Sequence, residues 1–294
     1  MTNWAAFAGF AGVVLGLLLL LAHASKEVFS NGSDDQRRLG FDPERPLKRR
    51  RRDRPDGTTP DGGVTRSSDA ATGDSDGGWE ALDVDRHHRH RLHAGGGYEL
   101  STTSLLVNVA LSQGLFGAFL VVGAWYTEIP LDALGLGDDG VSLLALALGV
   151  GLGAGLYAVN EVGAAFGERL GVGSSEELRE ALAPDSAAGW AVLLLLVLPV
   201  IAGFEELLFR AALVGVVAAG FGVSPWLLAV LSSVAFALGH GAQGPGGIFV
   251  TGMLGFVLAA AFVLTESLLV VVVAHYLVNA LEFVVHEGFG IDWV

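Results

Sequence analysis

The sequence predicts an all-α protein, a polytopic transmembrane helical bundle with a separate N-terminal transmembrane anchor. Three observations carry that prediction. The 294-residue chain is 52% hydrophobic and only 16% charged, with a mean hydropathy of +0.54, too apolar for an ordinary water-soluble domain. Apolar runs of membrane-spanning length recur along it. The charges are gathered in one stretch: residues 25–100 hold 14 of the 17 basic residues and 15 of the 31 acidic ones. Three regions follow: an anchor (1–24), a charged linker expected to be disordered (25–100), and a polytopic membrane domain (101–288).

The anchor run, Trp4 to Ala24, is 21 residues without a charge, enough to cross a hydrocarbon core of ~30 Å at ~1.5 Å per residue. A cleaved signal peptide is the rival reading, because Ala22-His23-Ala24 has a small-x-small pattern. No Lys or Arg precedes the run, whereas Lys48, Arg49, Arg50, Arg51, Arg52 and Arg54 follow it. The positive-inside rule therefore favours an uncleaved anchor with its N-terminus outside and the linker cytoplasmic. The linker has almost no apolar periodicity and cannot bury enough surface to offset the entropy of ordering. Its basic cluster could lie on anionic headgroups, and its His87, His88, His90 and His93 could hold a metal ion loosely.

The membrane domain reads as apolar runs at Thr102–Trp125, Val141–Ala158, Trp190–Gly220, Pro225–His240, Gly247–Leu264 and Leu268–Val285. With the anchor these make seven spans, or eight if the Trp190 run breaks in two. Thr127–Gly140 carries four acids and no base, which places it outside. Val159–Gly189 carries Arg169 and Arg179, which places it inside. Gly149/Gly153 and Gly151/Gly155 are small-xxx-small pairs that let helices approach closely. Ser174–Ala183 resembles a capping box on a short surface helix.

Composition also excludes chemistry. With no Cys, thiolate nucleophiles and cysteine-ligated metals are ruled out. The net charge of −14 argues against a nucleic-acid partner. An acidic excess on an apolar body fits a halophilic protein, soluble at its rims in high salt.

The informative residues are the polar ones inside apolar runs. Glu205, Glu206 and Arg210 interrupt IAGFEELLFRAALV. Facing lipid, the three would cost roughly 8 to 10 kcal/mol, against some 5 to 9 returned by Trp190 to Phe204. They must face the bundle interior, a wet cavity or the interface. Glu206 and Arg210 are i and i+4 on a helix and can pair, even bidentately. Glu205 points about 100° away and stays free for proton transfer. His240 ends another apolar run, and His275 and Asn279 share a helix face in the last one. Singly, each could be an interhelical hydrogen bond. Together, one carboxylate, two imidazoles and an amide predict a functional site. Ser232 and Ser233 lack the strained turn a serine nucleophile needs. Glu266, Glu282, His286 and Glu287 are expected mainly at the interface.

Three motifs carry a resemblance: EELLFR (Glu205–Arg210), FALGH (Phe236–His240) and HYLVN (His275–Asn279). In this order they fit E-E-x-x-x-R, F-x-x-x-H and H-x-x-x-N, and the chain resembles the CPBP family, the CAAX protease and bacteriocin-processing group of intramembrane endopeptidases, over a motif core of residues 190–285. The resemblance implies a helical membrane protease acting within the lipid bilayer on a membrane-associated peptide or protein. Glu205 with His240 would activate water, His275 and Asn279 would stabilise the oxyanion, and Glu206 with Arg210 would support the site. A zinc-dependent version would place the metal on Glu205, His240 and His275. A non-catalytic membrane scaffold or immunity protein is the alternative of a different class.

Overall fold

The computed structural model describes residues 1–38, 102–169, 179–180 and 182–291; side chains of residues 25–38, 164–169 and 242 are not described. The His87–His93 tract and most of Ser174–Ala183 lie outside the described residues. Met1–Ser30 with Arg91–Val294 form one compact unit. Of the second unit, Asn31–His90, only residues 31–38 are described, as helix.

The described residues are mostly helical, with no strand. The principal helices are α1 (Trp4–Arg38), α2 (Thr102–Tyr126), α3 (Leu143–Arg169), α4 (Ala187–Phe221), α5 (Pro225–Gly239), α6 (Gly244–Thr265) and α7 (Leu268–Gly288). Six of them are long and apolar enough to cross a membrane. The seventh expected span is corrected: α5 has only 15 residues, ~22 Å at ~1.5 Å per residue, short of a bilayer core. The Trp190 run does not break in two. It is one helix of 35 residues that absorbs its irregularities as π-helical turns at Leu193–Val197 and Leu207–Val216. The first π segment ends just before Pro199, whose missing N–H and bulky ring cannot sit in a regular α ladder.

Contacts across the chain place the helix ends on two faces. On one face, Asn3 N–H donates to Thr127 O (2.8 Å) and Leu268 N–H to Gly135 O (2.9 Å). Ser267 Oγ donates to Gly140 O on the same face (2.6 Å). This face therefore gathers the start of α1, the α2–α3 loop and the α6–α7 turn. The opposite face gathers the ends of α3 and α7 with Arg179.

The N-terminal span is seated on the bundle. Phe7, Ala11 and Val14 are buried in the same core as Leu208, Phe209, Phe236 and Leu258. Trp4 covers Gly220 of α4, and Leu18 lies against Gly239 of α5. The α3 glycines divide sharply. A Cβ at Gly149 would stand 2.9 Å from Val270 O, and one at Gly153 would stand 2.8 Å from Leu277 Cβ and 2.9 Å from Ala274 O. Gly151 and Gly155 have nothing within 4 Å. One pair thus brings the α3 backbone against α7, and the other faces outward.

Gly153→Ala must push on the α7 backbone, an overpacking cost of ~1–3 kcal/mol, whereas Gly155→Ala gains helix propensity, up to ~1 kcal/mol. Thermal unfolding in detergent micelles should show a lowered midpoint for the first and an unchanged or raised one for the second.

Candidate active site

Each polar side chain is delivered by a local feature of its helix. Glu205 and Glu206 end the central α segment of α4, and Arg210 lies in the π segment that follows. His240 caps α5 at φ −99° and ψ 24°, where the helix stops at a glycine-rich turn. That turn closes at Gly244, whose φ of +73° suits glycine, and Pro245 then starts α6. His275 and Asn279 sit on α7, whose first turn is capped by Ser267 Oγ accepting from Val270 N–H (3.2 Å).

Glu206 and Arg210 are completely buried. Arg210 Nη1 donates to Glu206 Oε1 (2.8 Å), and Nη2 donates to Gly255 O on α6 (2.9 Å). The pair is not bidentate, because the second guanidinium nitrogen serves α6. Glu206 Oε1 is also 2.7 Å from His275 Nδ1. A carboxylate beside a guanidinium is an acceptor, so Nδ1 carries the proton and His275 Nε2 turns toward Glu205. Nε2 stands 3.6 Å from Glu205 Oε2.

His240 is set by the same logic. Its Nδ1 is 2.9 Å from Phe236 O. A carbonyl only accepts, so Nδ1–H is the donor and Nε2 faces Glu205 Oε1 at 3.9 Å. Both Glu205 oxygens therefore look at imidazole Nε2 atoms, beyond direct hydrogen-bond length and within the reach of a bridging water. The His240 side chain is 27% exposed against 4% for His275, so the cluster opens to its surroundings past His240.

The structure thus brings Glu205, Glu206, Arg210, His240 and His275 into one cluster. Asn279 is one turn beyond His275 and partly buried, and its side chain makes no hydrogen bond with a described residue. Ser232 and Ser233 donate to Phe209 O (2.5 Å) and Ala229 O (2.7 Å) and are buried structural hydroxyls. Two further residues, given no role from the sequence, contribute. The Phe236 ring lies 4.7 Å from the Arg210 guanidinium, 4.6 Å from the His240 ring and 6.0 Å from the His275 ring. Gly255 supplies the carbonyl for Arg210, and a Cβ there would stand 2.9 Å from the Phe236 ring. Phe236 was legible as one turn before His240; a lone glycine in an apolar run gives no such signal.

Among the described residues, ligand atoms from three His, Asp or Glu side chains lie within 4.8 Å of one another at Glu161, Glu282 and His286, and not at Glu205, His240 and His275.

A carboxylate facing two imidazoles inside a helical membrane bundle is a set of groups capable of general acid–base chemistry. Residues 187–281 match the family model described as Type II CAAX prenyl endopeptidase Rce1-like. This match covers about a third of the chain, is consistent with the CPBP/CAAX protease family, and contains Glu205, Glu206, Arg210, His240, His275 and Asn279. No curated protein and no solved structure matches the chain.

Removing one member of a buried ion pair strands the other, at ~3–5 kcal/mol. Glu206→Gln and Arg210→Met should each lower stability by about that amount. The double variant should lose far less than their sum, measured as a double-mutant cycle in detergent unfolding.

Proposed function

We propose that this protein is an intramembrane endopeptidase that hydrolyses peptide bonds of membrane-associated proteins, with Glu205 and His240 activating water. The domain match supports a CAAX-protease-type intramembrane endopeptidase; the residue roles rest on the geometry. The observation that carries the reading is Glu205 Oε1 facing His240 Nε2 at 3.9 Å while Oε2 faces His275 Nε2 at 3.6 Å.

A water between Glu205 and His240 gives up a proton to the carboxylate as its oxygen attacks the scissile carbonyl carbon. The carbonyl π electrons move to oxygen, forming a tetrahedral oxyanion. With its Nδ1–H held by Glu206, His275 can take a proton from solvent on Nε2 and donate that N–H to the oxyanion, and the Asn279 amide can add a second donor. When the C–N bond breaks, the proton held by Glu205 passes to the leaving amine. Arg210, with Gly255 O and the Phe236 face, fixes Glu206 and through it the His275 tautomer. Substrate reaches the cluster from the His240 side. The charge asymmetry favours an N-terminus outside and residues 25–100 in the cytoplasm.

General-base loss costs ~10²–10⁴-fold and loss of one oxyanion donor ~10²–10³-fold. Glu205→Gln should fall at the upper end of the first range and Asn279→Ala within the second, with unfolding transitions like wild type. Terminal-peptide mass spectrometry of membranes from wild-type and Glu205→Gln cells identifies the substrates. Undiminished cleavage by the Glu205→Gln protein in proteoliposomes would refute the mechanism; no Glu205-dependent cleavage in either assay favours a non-catalytic scaffold.

A further inference from the structure

A second carboxylate–imidazole cluster lies toward the far end of α7, two to three turns beyond His275. Glu161 comes from α3, and Glu282 and His286 from α7. One ligand atom from each lies within 4.8 Å of the other two. His286 Nε2 is 2.9 Å from Glu161 Oε1. Arg179 Nε donates to Glu287 Oε1 (2.8 Å) and its Nη1 approaches Glu282 Oε2 (3.3 Å). The Asn160 amide donates to Glu282 Oε1. The Glu161, Glu282 and His286 side chains are only 12–20% exposed. All three residues lie outside the segment that matches the protease family.

We propose that Glu161, Glu282 and His286 form a binding site for one divalent cation of the zinc class, which clamps the end of α3 to the end of α7. The donor set is chemically apt: two carboxylates and an imidazole suit zinc, with a water completing a tetrahedron. This cluster, unlike the one around Glu205, already has its ligand atoms gathered, and small rotamer changes close it around an ion. The electrostatics agree. Among the described residues the cluster sets three carboxylates (Glu161, Glu282, Glu287) against one guanidinium, and a divalent cation brings that sum to zero. Arg179 holds Glu287 more closely than Glu282, so it can keep Glu287 while Glu282 Oε2 turns to the ion. Asn160 remains on Oε1 and orients the carboxylate from outside. Binding at His286 Nε2 moves the ring proton that now faces Glu161, to Nδ1 in a neutral ring or to solvent in a protonated one. Affinity therefore weakens as pH falls.

The test uses purified full-length protein in detergent, stripped with chelator, equilibrated with micromolar zinc and assayed for bound metal by mass spectrometry. Wild type should hold one equivalent more than His286→Gln or Glu161→Gln. Glu205→Gln and His240→Gln should hold the wild-type amount, which separates this site from the proposed catalytic one. The linker histidines are present in every protein and cancel in the difference. Zinc should also raise the unfolding midpoint of wild type and Glu205→Gln while leaving Glu161→Gln, still cooperatively folded, unmoved. If His286→Gln does not fold, Glu161→Gln alone decides. Equal zinc content in wild type and Glu161→Gln, or loss of the equivalent in Glu205→Gln, overturns the proposal.

Discussion

The structure depends on one constraint: a glutamate and an arginine with no solvent exposure, inside a helix long enough to cross the membrane, must find their partners within the bundle. Glu206 Oε1 accepts from both Arg210 and His275, and Arg210 reaches Gly255 on a third helix. Three helices are thereby tied at one point. Any rotation of α6 or α7 about its axis would strand a charge in low dielectric, which costs more than a few lost apolar contacts. Two atoms in this core, Glu206 Oε2 and Arg210 Nε, find no hydrogen-bond partner among the described residues. Burial of such incompletely satisfied charges is weak evidence for stability and is better understood as the means of holding the His275 ring in one tautomer.

The close helix approaches serve the same end. Gly149 and Gly153 bring α3 against the stretch of α7 that carries His275, and Gly255 leaves room for the Phe236 ring between α5 and α6. That ring touches the guanidinium and both imidazoles, so it couples the rigid ion pair to the more open His240. On the other side of α5, Leu18 of α1 packs on Gly239, the residue before His240. The N-terminal helix, which lies outside the matched family segment, thus borders the same histidine.

Two carboxylate–imidazole clusters on one helix behave differently because of spacing. Near Glu205 the imidazole nitrogens stand 3.6 and 3.9 Å from the carboxylate oxygens, a separation that suits an intervening water. Near Glu282 the groups are in direct contact with one another and with Arg179. The first arrangement leaves the Glu205 oxygens and two imidazole nitrogens facing one another without direct hydrogen bonds. The second leaves a compact anionic nest at the edge of the bundle.

The helical membrane class follows from the sequence alone, as does the set of side chains that must be shielded from lipid, because charges in apolar runs cannot face lipid. Glu205, Glu206, Arg210, His240 and His275 were legible on that ground and do meet. Spacing also separated the two glutamates, since adjacent residues on a helix point about 100° apart. Tertiary structure decided the partners. That Glu206 serves His275, that Arg210 spends its second nitrogen on Gly255, that one glycine pair packs while its neighbour faces outward, and that Asn160, Glu161 and Arg179 join Glu282 all depend on helix rotation and register. Those are settled by packing between segments tens of residues apart in the chain, and no local pattern of residues encodes them.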